Sequence, residues 1–241
     1  MKKFALVVGA TGAIGEAICE ALASAGWSLY IHYNTNQRKA QRLVSQFEQQ
    51  YPHLECMIVH ADFRQQDGAE QLAQQLFSVQ AIVFASGQAH YALLEETQPK
   101  EMEALWRVHV QNPMHLTALT ASKLRQHKSY IVFIGSIWGD IGAAGEVVYS
   151  AVKGAQHNFV RAYAQEAAPF TRVNAIAPGL VDTAMNGHLT ALERDELKTT
   201  IPLEEFAQPQ DIAAMTRMLL SGEADYITGQ VLRINGGWHM A

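Results

Sequence analysis

Tyr149 and Lys153 stand four residues apart in Tyr149-Ser150-Ala151-Val152-Lys153, at the start of a segment of helical periodicity that ends near Ala168. That spacing places both side chains on one helix face, about 6 Å apart along the axis. A phenol with its ordinary pKa of about 10 is a poor proton-transfer group at neutral pH. A fixed ammonium beside it favours the phenolate, so the pair predicts a Tyr149 of lowered pKa, tuned for general acid/base work. Ser136 follows the apolar run Tyr130 to Gly135. Its hydroxyl is expected to emerge at a strand end, where it can hydrogen-bond a carbonyl oxygen.

A second constellation lies near the N-terminus. The apolar run Phe4 to Val8 leads into Gly9-Ala10-Thr11-Gly12-Ala13-Ile14-Gly15 and then an apolar helix. Such a loop leaves backbone N–H groups and the positive helix end facing an anion, so a pyrophosphate fits there. Gly9 permits the tight turn, Thr11 adds a hydroxyl donor, and Gly15 lets helix pack close to strand. At the end of the next strand, where an acid would bind a ribose 2′-hydroxyl and repel a 2′-phosphate, the chain reads Tyr33-Asn34-Thr35-Asn36-Gln37-Arg38-Lys39. No acid is present, and polar groups with Arg38 or Lys39 favour NADP(H) over NAD(H). The alternative is that Arg38 and Lys39 are solvated residues opening a helix.

The elements that must position these groups are legible as short apolar runs alternating with longer helical segments. The runs are Phe4 to Val8, Ser28 to His32, Leu54 to His60, Ala81 to Ala85, Tyr130 to Gly135, Arg172 to Ala177 and Val231 to Ile234. Between them Ile14, Ile18, Leu22 and Leu43, Phe47, Tyr51 recur every four residues, as do Leu72 and Leu76, marking buried helix faces. Gln65, Gln66, Gln71, Gln74 and Gln75 read as the solvated face of a helix. Parallel strands need right-handed crossovers, so the expected fold is α/β, a doubly wound parallel seven-stranded sheet (Rossmann fold) with helices on both faces. Ligands bind such sheets at the carboxyl ends of the strands.

The 241 residues suit one domain, and 49% hydrophobic against 17% charged residues suits a globular chain. A net charge of −5 argues against nucleic acid as a partner. No run approaches the roughly 18 apolar residues of a membrane span. Cys19 and Cys56 lack CxxC spacing and fit a reducing, cytoplasmic setting. His32, His60, His90, His115 and His188 show no metal-ligand spacing, so no metal is expected.

With the glycine loop, Ser136, Tyr149 and Lys153 in one chain, the sequence resembles the short-chain dehydrogenase/reductase family along its whole length, and within it the 3-oxoacyl-[acyl-carrier-protein] reductases of fatty acid biosynthesis. Asp62-Phe63 matches the family position where an Asp side chain and the next amide hold adenine. Asn174-Ala175-Ile176-Ala177-Pro178-Gly179-Leu180-Val181-Asp182-Thr183 is similar to the segment that touches the nicotinamide end, and Tyr226 to Gln230 with Asn235-Gly236-Gly237 to the family tail. The resemblance implies a cofactor site that includes Gly9, Thr11, Gly12, Ile14, Gly15, Tyr33, Asn34, Thr35, Arg38, Asp62, Phe63, Ser86, Gly87, Tyr149, Lys153, Pro178, Gly179, Val181 and Thr183.

The sequence departs from the family at Val8, usually Thr, at Ala13, usually Gly, and at Phe84-Ala85-Ser86-Gly87, usually Asn-Asn-Ala-Gly. Alignment through Val110-Gln111-Asn112-Pro113 puts His109 where the family has an Asn holding a relay water beside the Lys, with Asn112 three residues late. His109 either holds that water through a ring nitrogen or is a packed helix histidine. Met102, Leu105, Trp106, Met114, Leu116 and Leu119, and the face of Val152, Phe159 and Tyr163, are apolar at helical spacing and read as core. The resemblance implies that these helices also pair between subunits in a homotetramer, and that a lid spans about 184–200. The implied activity is NADPH-dependent reduction of a ketone, with a 3-oxoacyl thioester as substrate. A dehydrogenase of a sugar or other secondary alcohol, or a silent nucleotide-binding subunit, are the rivals.

Overall fold

The computed structural model describes residues 2–187 and 189–240, with the side chain of Met185 excepted; Met1, His188 and Ala241 lie outside the described residues. Seven strands form one parallel sheet: β1 (Phe4–Val8), β2 (Ser28–Tyr33), β3 (Cys56–His60), β4 (Ala81–Phe84), β5 (Ser129–Ile134), β6 (Thr171–Pro178) and β7 (Val231–Ile234). Their spatial order is β3-β2-β1-β4-β5-β6-β7. All the strands foreseen from the apolar runs are present, with ends shifted by a residue or two. Strand order reverses beside β1, whose Val8 pairs with Phe84 of β4, and this reversal opens a crevice at the carboxyl edge.

The sheet is apolar on both faces because helices cover both. Along β1, Ala5 and Val7 join a core with Ile18 and Leu22 of α1 (Ala13–Ser24), Leu43 and Phe47 of α2 (Gln37–Gln50), and Ile212 and Leu219 of α9 (Pro209–Leu220). Phe4, Leu6 and Val8 point the other way, toward Leu72 of α3 (Gly68–Ala73), Leu116 and Leu124 of α5 (Asn112–Leu124), and Val160 and Ala164 of α7 (Val147–Ala167). Period-two alternation along one strand thus feeds two cores, each fully buried side chain contributing ~1.5–3 kcal/mol. Among the described residues no helix is long and apolar enough to cross a membrane.

Two readings of the sequence change. The glutamine-rich helix is short: Gln65 and Gln66 precede α3, and Gln74 and Gln75 follow it. Gln75 is no idle solvated residue, because its side chain accepts from the His60 N–H at 3.0 Å and donates to the His60 carbonyl at 2.8 Å, closing the outer edge of β3. The apolar stripe of α4 (Pro99–Trp106) and α5 is only half core. Leu105 and Leu116 are buried, whereas Trp106, Met114 and Leu119 are 48%, 40% and 40% exposed, since they lie on the side turned from the sheet.

Between α4 and α5 the helix runs on without a break through a π-helical stretch, Arg107–Gln111. Such widened turns commonly occur at functional sites. Here the stretch contains His109.

Candidate active site

The loop after β1 is held from beneath. The Gly9 N–H donates to Nδ1 of buried His32 at 3.0 Å, and His32 Nε2 lies 3.1 Å from the Ala61 carbonyl, which fixes the Nε2–H tautomer. Gly9 has φ 84°, and a Cβ there would sit 2.6 Å from backbone atoms of Ser86. A Cβ on Gly15 would sit 2.2 Å from the Gly9 carbonyl oxygen. The turn therefore lies against the β4 loop, and the start of α1 lies against the turn, with no room for side chains at either contact.

Two cavities meet over this loop. One of about 240 Å³ is lined by Gly9, Thr11, Asn34, Thr35, Asp62 and Phe63 among others. The other, about 450 Å³, is lined by Ile14, Gly15, Pro178, Gly179, Val181 and Thr183 and also by Ser136, Tyr149 and Lys153. They share Gly12, Ala85, Ser86 and Gly87, so they form one continuous trough along the carboxyl edge of the sheet. The buried Ser86 hydroxyl at this neck has no partner within the protein. A long ligand with an anionic middle suits such a trough, since the glycine turn and the start of α1 present N–H groups to an anion.

Two residues expected in this trough lie outside it. Tyr33 turns its ring to His60, 5.0 Å between centroids, because it leaves the strand on the opposite side from Asn34. Arg38 is exposed on the first turn of α2 and lines neither cavity, and Lys39 is paired with Glu16 of α1. The basic group in the smaller cavity is instead Arg64, which binds the Asp62 carboxylate through Nε and Nη2 at 3.0 and 2.9 Å. Arg64 holds that carboxyl below its ordinary pKa against the opposing effect of burial. Asn112 takes no part near Lys153. Its side chain accepts from Ala69 N and donates to the Phe63 and Gln65 carbonyls, bracing the loop after β3 from below.

At the other end Ser136, Tyr149 and Lys153 line the same cavity. Ser136 sits just past β5, where the Gly139 N–H caps its carbonyl at 3.0 Å and Ile137 N donates to the Pro178 carbonyl at 3.1 Å. Its hydroxyl accepts from the Trp138 N–H at 3.2 Å and lies close enough to Tyr149 to favour the phenolate. Lys153 is buried, with Nζ 5.4 Å from the Tyr149 ring centroid and donating to the Ile134 carbonyl at 2.8 Å.

The electrostatics reverse the expectation for the phenol. Burial, reinforced by Glu146 and Tyr91, pushes the Tyr149 pKa above its ordinary value, and the Ser136 hydrogen bond offsets only part of this. Burial also pulls Lys153 down to about 7. An ammonium that is itself desolvated, and spent on a backbone carbonyl, does not acidify its neighbour as a solvated one would.

His109 is fully buried and stands edge-on to the Tyr149 ring, 5.6 Å between centroids at 88°. Nε2 lies 3.1 Å from the Gln88 carbonyl, while Nδ1 is buried without a protein partner. The His109 carbonyl accepts from Nε2 of Gln156 at 2.6 Å. Burial, and then the nearby Lys153 charge, push the imidazole down to about 3, so it stays neutral across the physiological range. His32 is pushed by burial to about 4.

Both histidines bind a proton in the unfolded chain near pH 6.5 but not in the folded one until well below that. The unfolded state therefore binds more protons between about pH 6.5 and 4, and stability falls as pH falls through that window. Chemical denaturation at pH 7.5 and pH 5 is expected to differ by a few kcal/mol in favour of the higher pH. Replacing His32 with Gln should flatten part of that slope.

The wall facing Tyr149 is aromatic. Trp138, two residues after Ser136, packs against Trp238 of the C-terminal tail, 5.2 Å between centroids, and both line the larger cavity with Tyr91, Leu189 and Leu197. Trp238 carried no local signal in the sequence, because only the course of the tail after β7 brings it here. Among the histidines outside the trough, His60 hydrogen-bonds the Asn34 carbonyl and His90 the Thr97 hydroxyl, and His115 faces Glu70. His188 lies outside the described residues.

The comparisons agree with this geometry. A family model described as Enoyl-(Acyl carrier protein) reductase matches residues 9–239. The uncharacterized oxidoreductase YmfI of Bacillus subtilis is 44% identical, covering 99% of this chain and 100% of its own. A 3-oxoacyl-[acyl-carrier-protein] reductase, FabG of Staphylococcus epidermidis, is 29% identical over 100% of both. Among solved structures, a short-chain dehydrogenase/reductase of Brucella melitensis described as glucose/ribitol dehydrogenase superposes with a TM-score of 0.91 at 26% identity, covering 100% of both chains. A blue fluorescent protein from a metagenomic library, in complex with NADPH, gives 0.92 at 26% identity, covering 99% of this chain and 98% of its own.

Proposed function

Since this chain belongs to the short-chain dehydrogenase/reductase family of NAD(P)-dependent oxidoreductases, we propose that it reduces a ketone to a secondary alcohol with NADPH, the ketone being a 3-oxoacyl thioester. The carrying observation is that Ser136, Tyr149 and Lys153 open onto the same trough as the glycine loop. NADPH in that trough supplies the hydride. Ser136 donates a hydrogen bond to the ketone oxygen, polarising it toward attack. Tyr149 gives its hydroxyl proton to the alkoxide that forms. Lys153, whose ammonium donates to the Ile134 carbonyl, would hold the cofactor's ribose hydroxyls and keep positive charge beside the developing alkoxide.

The raised Tyr149 pKa supports the reductive direction. A phenol that keeps its proton at neutral pH is a ready acid, and an alkoxide is basic enough to take the proton from it. Oxidation of an alcohol would need the phenolate, which burial disfavours. His109, neutral throughout, serves any water chain behind Lys153 only as an acceptor through Nδ1. Preference for NADPH is supported by the lack of an acid at the end of β2, by Asn34, Thr35 and Arg64 at the adenosine end, and by the NADPH-bound structural relative. The thioester is supported by FabG.

We assign the segment 184–200, including α8 (Ala191–Thr199), to a substrate lid, since Leu189 and Leu197 line the cavity. Exposed Trp106, Met114 and Leu119 favour pairing of α4 and α5 in a homotetramer. The free, buried Cys19 and Cys56 fit the cytoplasm.

Following absorbance loss of NADPH and NADH separately, with acetoacetyl thioesters and simple diketones, tests activity, cofactor choice and substrate class together. NADPH binding without turnover of any carbonyl compound in such a panel defeats the reading. The pH dependence is a second check. Lys153 loses its proton as pH rises through about 7, so kcat/KM for reduction should be level below that value and fall up to about tenfold per unit above it. A profile level from pH 6 to 9 contradicts the part given to Lys153.

A further inference from the structure

Below the reactive pair on α7 lies a polar cluster around buried His157 that the proposed reaction does not use. Tyr149, Lys153 and His157 recur every four residues and form one row down the helix. The His157 side chain is fully buried, with Nδ1 3.0 Å from Asp140 Oδ1. Asp140 belongs to the short helix α6 (Trp138–Ile141) that follows Ser136, and its other oxygen, Oδ2, accepts from Arg233 Nε at 2.9 Å. Arg233 lies on β7, two residues before Asn235 and the tail that carries Trp238. The more exposed Arg161, one turn beyond His157, approaches Asp140 at 3.8 Å.

The fit around His157 is close. A Cβ on Gly135 would lie 2.5 Å from His157 Nε2, and one on Gly139 would lie 2.8 Å from His157 Cε1. The glycines on either side of Ser136 are thus the space that the imidazole fills. The ring lies under the loop that presents the Ser136 hydroxyl and ties that loop to the helix that presents Tyr149. Asp140 and Arg233 extend the tie to the strand leading to Trp238.

We propose that His157, Asp140 and Arg233 form a clamp of positioning residues that sets the Ser136 hydroxyl against the Tyr149 hydroxyl and holds the Trp138–Trp238 wall in register with them. The inference rests on the reductase reading for its effect on turnover. Its structural content is independent of that reading. Its effect falls on the bond-making geometry and not on the glycine loop, which follows β1 and is separated from β5 by β4. A displacement of about 1 Å between reacting groups costs on the order of a hundredfold in rate.

The test uses His157→Leu, His157→Asn and Arg233→Met in the full-length protein. Asn keeps an N–H donor at the place of Nδ1, whereas Leu fills the space without one. His157→Leu should lose about 10- to 100-fold in kcat with its NADPH dissociation constant within about threefold of the parent. His157→Asn should recover most of that loss. Amide hydrogen exchange should quicken over residues 135–142 in the Leu variant and return toward the parent rate in the Asn variant. Arg233→Met removes a partly exposed side chain and decides the matter should His157→Leu fail to fold, with a smaller kcat loss and quicker exchange over the same residues. Unchanged exchange over 135–142 overturns the clamp whether or not the enzyme turns over any ketone. So does a kcat loss matched by an equal loss of NADPH affinity, or one that Asn does not relieve. A parent enzyme inactive on every carbonyl compound overturns the reductase reading instead, and the exchange data still judge the clamp.

Discussion

Tyr149→Phe is expected to lower kcat/KM for the proposed NADPH-dependent ketone reduction by about 10³- to 10⁴-fold, the upper range for removal of a general acid, while NADPH affinity changes little. The hydroxyl is the only part lost. The ring of Phe keeps the edge contact with His109 and the place beside Lys153. With the phenol gone, the alkoxide must take its proton from water or from Ser136, whose hydroxyl is far less acidic. Because burial holds the Tyr149 pKa high, the proton is present at every working pH, and the defect should be the same at pH 6 and pH 8. Steady-state assays with NADPH fluorescence titration check this. Activity in the variant within tenfold of the parent would falsify the assignment of Tyr149 as proton donor.

The second large effect is expected at the opposite end of the trough. Gly15→Ala places a Cβ 2.2 Å from the Gly9 carbonyl oxygen and 2.9 Å from Ala10 Cα, all backbone atoms that no side-chain rotation can relieve. The start of α1 must move outward, carrying with it the N–H groups that the proposed function assigns to the cofactor phosphates. Overpacking of this kind costs ~1–3 kcal/mol of stability. NADPH affinity should drop by ~30-fold or more, since several charge-assisted hydrogen bonds lengthen together. Urea denaturation and isothermal titration measure the two effects separately. Normal affinity in a variant that folds would show that the loop does not cradle the cofactor.

How much of this was legible beforehand follows from the range of the interactions. The sheet was readable because each strand and each helix face writes its own burial into a local period, as in Ile18 and Leu22 or Leu43 and Phe47. Tyr149 and Lys153 were readable because four residues is one helical turn. The direction of the phenol's pKa was not, since it depends on how completely distant elements bury the pair. Tyr33 lines neither cavity, and Arg64 carries no local mark, for a related reason. Whether a side chain at a strand end enters the crevice or turns aside depends on one residue of register. His157 and Trp238 gave no signal at all, because Asp140 and Trp138 reach them only through tertiary packing.

The reversal of strand order beside β1 bears on how the molecule assembles. Val8 finds its partner in Phe84, and the β1–β2 hairpinless crossover, α2, β3 and α3 must all be accommodated before those strands can join. Contacts between parts so far apart along the chain form slowly and late, since loop-closure entropy must be overcome first. The nucleotide crevice is therefore absent from any intermediate in which only the first two βα units have condensed. A dinucleotide that recognises only the finished crevice acts as a latch on the completed fold, raising the population of the native state by mass action without hastening the steps that lead to it.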